Sequence, residues 1–408
     1  MKKNLRFLSA VLLLTFFAGL AAGCGSSYNR RDTVAPPTSY LDDECDSIAS
    51  PWSGQNAAHL AEVMKKAESG QDIVIAVLGG SITQGTISTG SRDSEVSVRR
   101  PYADIFFSWW EETFPDITVT KVNAGIGGTS SYLGVHRLEE DVMAYDPDLV
   151  LVEYSVNDGS DYFYKKSYES LINKLMYREN APAVMLLFMA QSNGTSAQDI
   201  HCEIGRLYEL PMVSYKNVME HLYDNGFTES DMSSDSSHPS VLGHAIVGEM
   251  LWRYLNNVYE KVDTYGEYTA PTVTPSTHIA YQNATMLSSA DIEADSYGSF
   301  EGGNYSVVWN DCWTSDGGDG ITFTLSFKTL GFLFYRTTNQ SYGTYEVIID
   351  GVNYGKMAAY KSDDWGNYGY TMEFKTFDTE DVHTVTIRPC EGNEDKKFTI
   401  IRLLVGNE

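Results

Sequence analysis

Short apolar runs separated by amphipathic segments fill residues 57–262 and constrain the fold more than any other feature of the sequence. The apolar runs predict strands, and the longer amphipathic segments predict helices. Strands without internal polar alternation are buried on both faces, which indicates a parallel sheet between two layers of helices. We therefore predict a three-layer α/β/α sandwich. Its strands are expected at 72–79, 117–124, 148–155, 183–190 and 211–215.

The sequence changes character after residue 264. Residues 265–278 are rich in Pro, Thr and Gly, which is typical of a linker. Beyond them, short aromatic and β-branched runs are punctuated by Gly, Asp and Asn, with an Asp-Gly turn signal in "IIDGVNYG". This pattern predicts a C-terminal antiparallel β-sandwich over 279–408, which follows an α/β domain over 51–264.

The N-terminus has the layout of an export signal, with basic residues, a short apolar core and then small residues. The small residues end in Ala22-Gly23-Cys24, which resembles a bacterial lipobox, although Ala21 stands where lipoproteins usually have Leu. We expect a lipoprotein-type signal over 1–24, lipidation of Cys24 and a polar tether over 25–50. Plain secretion is the alternative, and both alternatives place the protein outside the cytoplasm.

Charge and cysteine content limit the possible partners. A formal net charge of −26 opposes binding to nucleic acid and to anionic lipid, so any membrane attachment would depend on the N-terminal lipid. No CxxC pair is present, and nothing in the sequence supports a metal site. The sequence does not decide whether Cys312 and Cys390 form a disulfide or remain unpaired thiols. The other cysteines are Cys45 and Cys202.

Ser81 follows the first predicted strand, in "LGGSITQG". The segment is not a P-loop, because no Lys-Ser/Thr pair follows Gly85. It is not an α/β-hydrolase nucleophile elbow either, because Thr83 stands where that motif has its last glycine. Two interpretations of Ser81 remain: a residue of a structural turn, or a catalytic serine of another type.

Three further features lie after strands or before the last predicted helix. The glycines of "NAGIGGTSS" follow the second strand, where they either form a tight strand-to-helix turn or let a backbone N–H approach a ligand closely. Asn157 ends the third strand in a turn-like Asn-Asp pair, and its amide is a candidate donor to an oxyanion. Asp235 and His238, in "DSSHPS", are spaced so that the carboxylate can fix the imidazole tautomer, although a loop histidine is often only a surface group.

The order of these four blocks resembles that of the SGNH hydrolases, also called GDSL-type esterases, over roughly residues 70–260. The resemblance implies the SGNH hydrolase fold, with a flavodoxin-like parallel sheet. It implies that Ser81 is the nucleophile, His238 the base and Asp235 its acidic partner.

The same resemblance implies that the N–H groups of Ser81 and Gly128 and the amide of Asn157 form the oxyanion hole. The chain departs from the family pattern at two positions. Gly80 stands where many members have Asp, and Ser155 replaces the usual glycine of the asparagine block. We expect these departures to affect the shape of the substrate loops.

The implied reaction is ester hydrolysis through an acyl-enzyme, without a metal or organic cofactor. Parts of the chain look like bacterial carbohydrate esterases that remove O-acetyl groups, and the C-terminal region resembles a carbohydrate-binding module. Three tryptophans there are candidates for stacking on sugar rings or for the core: Trp309, Trp313 and Trp365. We expect an exported, lipid-anchored esterase acting on acetylated polysaccharides or oligosaccharides. The alternatives are a lipase-like or thioester hydrolase of the same fold and a catalytically silent glycan-binding surface protein.

Overall fold

The computed structural model describes residues 35–36, 39–97, 99–306 and 308–407. The expected signal over 1–24, Cys24 itself and part of the expected tether lie outside the described residues. None of the helices in the described part of the chain is both long enough and apolar enough to cross a membrane.

A five-stranded parallel sheet lies at the centre of the N-terminal domain, as the sequence predicts. The strand order is β2-β1-β3-β4-β5, which is the flavodoxin-like order. Because β1 lies between β2 and β3, the ends of these three strands are held side by side. The strands are β1 (Ile73–Gly79), β2 (Val119–Gly125), β3 (Leu149–Glu153), β4 (Ala183–Phe188) and β5 (Met212–Ser214).

Helices cover both faces of this sheet. Side chains alternate along β1, so that Ile75 and Val77 join the core on one face while Ala76 and Leu78 join the core on the other. The first face is covered by α1 (Glu44–Ala49), α2 (Ala58–Glu68), α4 (Tyr102–Thr113), α8 (Tyr215–Asp224) and α10 (Val241–Tyr259). The second face is covered by α5 (Ser131–Asp141), α6 (Tyr162–Met176) and α7 (Gln198–Leu207). Two short helices, α3 (Ser81–Gln84) and α9 (Glu229–Met232), complete the domain.

The C-terminal region is the predicted antiparallel β-sandwich. Its eight strands pair with register shifts in the long strands β9, β12 and β13, and an aromatic and aliphatic core fills its interior. The strands are β6 (Asn283–Leu287), β7 (Phe300–Gly303), β8 (Cys312–Ser315), β9 (Ile321–Arg336), β10 (Thr344–Ile349), β11 (Val352–Ala358), β12 (Tyr368–Pro389) and β13 (Phe398–Asn407).

The two domains share one hydrophobic core. The cluster on the second face of the parallel sheet continues through Tyr132 of α5 into Tyr281, Leu333 and Ile401 of the C-terminal region. Lys166 of α6 and Glu373 of β12 form an ion pair across the same junction, at 3.2 Å. The sandwich is therefore fixed to the helical layer that contains α5 and α6.

The segment 265–278 contains no helix or strand and is docked on the first domain. The ring of Tyr268 stacks on His59 with centroids 4.2 Å apart. The Glu169 carboxylate accepts hydrogen bonds from the backbone N–H groups of Ser276 and Thr277. Because this segment stacks on and hydrogen-bonds to the first domain, it is a fixed connection between the domains.

Two helix starts differ from what local sequence rules favour. Proline is favoured in the first turn of a helix, but Pro239 precedes α10, which begins at Val241 because the Ser240 side chain accepts the Gly243 N–H as its N-cap. Apolar residues at helical spacing predict a helix from Tyr168 onward, but α6 starts earlier, at Tyr162. The Asp161 side chain caps this earlier start by accepting the Tyr164 N–H.

All four cysteines within the described residues are free and buried. The disulfide that the sequence left open between Cys312 and Cys390 is therefore absent from this structure. Burial raises the pKa of both thiols, which makes their thiolates scarcer at neutral pH.

The domain junction requires a glycine in β9. A Cβ added at Gly331 would lie 2.1 Å from Oη of Tyr132 and 2.8 Å from the Met372 carbonyl oxygen. We predict that Gly331→Ala lowers the free energy of unfolding by about 1–3 kcal/mol, as overpacking of a core does. Urea denaturation measures the change. Gly302→Ala in β7 is the matched control, since no atom lies within 4 Å of its added Cβ; equal losses in the two variants would contradict the prediction.

Candidate active site

The predicted site residues follow three strands whose ends lie in register. Gly79 of β1 pairs with Gly125 of β2 on one side and with Glu153 of β3 on the other. Ser81, Gly128 and Asn157 each follow one of these strand ends by a few residues, so the topology places them at one edge of the sheet.

The loop before α10 places a histidine against Ser81. Nε2 of His238 lies 2.9 Å from Oγ of Ser81, and Nδ1 lies 2.8 Å from Oδ2 of Asp235. Ser88 holds this loop in place, because its hydroxyl donates to the His238 carbonyl oxygen at 2.6 Å. The structure thus joins the three residues that the sequence predicts as nucleophile, base and acid in one hydrogen-bonded row.

Asp235 is arranged to remain ionised. Its partial burial alone would raise its pKa, but hydrogen bonds from the backbone N–H and imidazole of His238 and from the Ser237 N–H hold the pKa below its ordinary value. The Oδ1 atom accepts the two backbone N–H groups at 2.8 and 3.0 Å. A carboxylate held in this way can orient the imidazole and stabilise its protonated form.

The predicted oxyanion donors lie beside Ser81. Gly128 has φ +73°, a conformation that favours glycine. The N–H of the preceding residue, Gly127, is already donated to Oε1 of Gln84 at 2.9 Å. Because the N–H of Gly127 is occupied, the N–H of Gly128 stays the predicted donor of this loop.

Asn157 packs directly against Gly80. A Cβ at Gly80 would lie 2.1 Å from Oδ1 of Asn157, so no other side chain fits there while the asparagine keeps its position. Among the described residues, Oδ1 is buried without a hydrogen-bond partner. The departure from the family pattern at Gly80 therefore makes room for the asparagine itself, rather than only shaping a substrate loop.

Ser155 has a structural role in place of the usual glycine. Its hydroxyl donates to the Met189 carbonyl oxygen at 2.9 Å and accepts the Met189 N–H at 2.6 Å. These bonds tie the loop that contains Asn157 to the end of β4.

Glu153 is a buried acid that our sequence analysis missed. It lies beneath the site, where Thr83 Oγ1 donates to Oε2 at 3.3 Å, and its side chain is fully buried. Burial raises the pKa of Glu153 to about 7. The sequence did contain a signal for this buried acid, because Glu153 lies in a long apolar strand. Both faces of such a strand are buried, so a charged side chain in it is expected to be buried too.

A cleft of about 900 Å³ opens over Ser81 and His238. One side is formed by the α/β domain, including Gln84, Ile126 and Tyr164. The opposite side is formed by the C-terminal sandwich. The C-terminal domain therefore contributes to the lining of the cleft, which the sequence alone left undecided.

Five aromatic residues of the sandwich, which we call the aromatic wall, line this opposite side: Tyr305, Trp309, Trp365, Tyr368 and Tyr370. Trp365 is 69% exposed and stacks on Tyr368 with ring centroids 4.2 Å apart. A Cβ added at Gly128 would lie 3.2 Å from Cζ2 of Trp365, so the indole approaches the predicted oxyanion glycine. Of the three candidate tryptophans, Trp365 and Trp309 line the cleft, whereas Trp313 is fully buried in the core.

Within the described residues, one group of three side chains has potential metal-ligand atoms close together: Asp42, Cys45 and His221. These residues do not line the cleft. The Asp42 carboxylate accepts the N–H groups of Glu44 and Cys45 at the start of α1, so helix capping accounts for its position.

Comparison with known proteins agrees with this geometry. Residues 77–246 match the model of the GDSL-like Lipase/Acylhydrolase family. An acetylxylan esterase of Geobacillus stearothermophilus is 24% identical over 216 residues, which cover 46% of this chain and 95% of that protein.

Similarity to one solved structure extends over both domains. A two-domain esterase (CEX) active on acetylated mannans has a TM-score of 0.79 and 28% sequence identity, over 89% of this chain and 98% of that chain. The same esterase co-crystallized with mannopentaose has a TM-score of 0.77. Residues 77–246 therefore belong to the GDSL-like Lipase/Acylhydrolase family, and the chain is a hydrolase that acts on carboxylic esters.

Proposed function

We propose that this protein is an exported carbohydrate O-acetylesterase in which Ser81, His238 and Asp235 form the catalytic triad. One observation supports this assignment above the others. The hydrogen-bonded row of these three residues opens into a cleft whose opposite side is the aromatic wall. A nucleophile facing an aromatic surface suits an ester on a sugar, because aromatic rings pack on the apolar faces of sugar rings.

In the first half of the reaction, Nε2 of His238 takes the proton of Ser81 Oγ as this oxygen attacks the acetyl carbonyl carbon. Asp235 keeps the imidazole in the required tautomer and stabilises its charged form. His238 then gives the proton to the departing sugar oxygen, and the acetyl group remains on Ser81.

In the second half, water attacks the acetyl-serine ester while His238 acts again as base. Acetate leaves, and the proton returns to Ser81. In both halves the negative charge on the carbonyl oxygen is held by the N–H groups of Ser81 and Gly128 and by the Asn157 amide. Removing one such donor typically lowers the rate by about 10²–10³-fold.

The substrate class follows from the size and lining of the cleft. A volume of about 900 Å³ is far more than an acetyl group requires, and it accommodates several sugar units. The solved structure that resembles both domains is active on acetylated mannans, whereas the acetylxylan esterase matches less than half of this chain. We therefore infer acetylated mannan-type chains as the first substrate to examine, and acetylated xylan as the second.

Replacing the nucleophile gives the first test of this function. Ser81→Ala is expected to lower release of acetate from acetylated mannan by about 10⁴-fold or more, as loss of a triad serine does. Acetate is measured from acetylated mannan, xylan and pectin, and from 4-nitrophenyl esters of increasing chain length. Ser69→Ala, at the exposed end of α2, is the control and should keep full activity.

Two outcomes of that experiment would contradict the proposal. Activity that increases from acetate to octanoate esters would indicate a lipase-like hydrolase. Equal, negligible turnover in the wild type and in Ser81→Ala would indicate a catalytically silent glycan-binding protein.

The aromatic wall should affect polymeric substrates selectively. Trp365→Ala removes an exposed ring at the cleft, and we expect it to raise KM for acetylated mannan oligosaccharides by about 3–10-fold, the equivalent of one aromatic contact. Turnover of 4-nitrophenyl acetate should change less than twofold, since this ester needs no second sugar contact. Tyr297→Ala is the matched control, because Tyr297 is an exposed aromatic of the same domain outside the cleft lining. A loss of equal size on both substrates would show that Trp365 does not act through the sugar.

Export and lipid anchoring are part of the proposal. They rest on the basic and apolar N-terminus and on the Ala22-Gly23-Cys24 sequence. We expect the full-length chain to sediment with bacterial membranes and Cys24→Ala to lose this association, because the lipid is the only attachment proposed. Membrane fractionation followed by immunoblotting measures how much of each protein is associated with the membrane. Retention of Cys24→Ala in the membrane fraction would exclude the lipobox interpretation.

A further inference from the structure

One buried carboxylate lies next to the proposed oxyanion hole and takes no part in the mechanism above. Asp158 follows Asn157 directly, and its side chain is fully buried. Its Oδ1 accepts the backbone N–H of Ser131 at 2.9 Å, and its Oδ2 lies 3.0 Å from Nε2 of His201. A buried carboxylate with two fixed partners joins the segments to which those partners belong.

The first partner is the beginning of α5. The N-cap residue of this helix, Ser130, makes no capping hydrogen bond with its own side chain. Asp158 supplies the missing acceptor from the neighbouring loop, and a negative charge at a helix N-terminus is favourable. The helix start lies three residues after Gly128, so this bond holds the glycine loop in place.

The second partner fixes the carboxylate itself. His201 of α7 is fully buried, and its ring stacks on Tyr168 of α6 with centroids 3.6 Å apart and planes 8° apart. Since the imidazole cannot turn freely between these neighbours, the orientation of Asp158 is set by the helical layer.

The sheet topology explains why such a link is needed. Gly128 follows β2 and Asn157 follows β3, and these strands are separated by β1. No ladder of backbone hydrogen bonds therefore connects the two loops, although both must present donors to one oxygen atom.

We propose that Asp158 is a positioning residue that preforms the oxyanion hole, by bonding the loop of Asn157 to the loop of Gly128 while His201 holds its carboxylate. This inference rests on the oxyanion roles assigned to Asn157 and Gly128 above. Asp158 itself does not touch the substrate. Without Asp158, the donors of the oxyanion hole would be less well positioned. Because they bind the oxygen chiefly in the transition state, kcat should fall while KM changes little.

The test uses kcat and KM for 4-nitrophenyl acetate with the full chain. We expect Asp158→Ala to lower kcat by about 10²-fold, the typical loss for one oxyanion donor, with KM within threefold of the wild type. Asp158→Asn keeps an acceptor for the Ser131 N–H and should recover most of this loss. Asp158→Ser replaces the alanine variant if the latter does not fold.

The matched control is Asp148→Ala. Asp148 also joins a backbone N–H, that of Val74, to a basic side chain, that of Lys66. It does so just before β3 begins, at the edge of the sheet opposite the site. We expect its loss to affect stability but to leave kcat within twofold of the wild type.

A double-mutant cycle with Asn157→Ala separates positioning from general damage. If Asp158 acts through the oxyanion hole, Asp158→Ala should cost much less than 10²-fold in the Asn157→Ala background. Equal fold-losses in the two backgrounds, or a kcat of Asp158→Ala within threefold of the wild type, would overturn the inference. If instead Asn157→Ala itself leaves kcat unchanged, the proposed oxyanion role fails rather than the link through Asp158.

Discussion

The position of β1 between β2 and β3 is the constraint on which the rest of the site depends. Gly79, Gly125 and Glu153 end their strands side by side, so the loops that follow emerge at one edge. Two parallel strands are joined by a crossover that contains a helix. Each of these loops is therefore held by a strand at one end and by a helix at the other. A serine, a backbone N–H and an amide thus come within reach of one small group, and the loop before α10 adds the histidine from the other side.

The second constraint is the core shared by the two domains. The apolar surface formed by α5 and α6 is covered by the C-terminal sandwich instead of by solvent, and the Lys166–Glu373 ion pair lies at the same junction. The strand β12 contains both Glu373 and two residues of the aromatic wall, Tyr368 and Tyr370. The junction therefore sets the distance between the aromatic wall and Ser81. A module joined by a flexible linker would leave that distance unspecified.

Buried polar groups beneath the site serve geometry in different ways. Ser155 fixes its loop through the backbone of Met189, and Glu153 contacts Thr83, two residues after Ser81. Each of these groups has hydrogen-bonded partners, which buried polar atoms require. The raised pKa of Glu153 reduces the negative charge beneath the site, which suits the proposed reaction because the substrate oxygen becomes negative there.

The sequence by itself determined the fold class and the strand positions to within a few residues, because apolar periodicity is a local property of the chain. It predicted the residues of the candidate site mainly because the order of its short motifs resembles that of a known family. It did not determine that the C-terminal domain lines part of the cleft, that Trp365 is exposed there while Trp313 is buried, or that Gly80 makes room for Asn157. It also gave no sign that Asp158 links the loops of two strands that are not neighbours. These features depend on which surfaces meet after the chain has folded, and packing between residues distant in sequence leaves no periodic signal in the sequence.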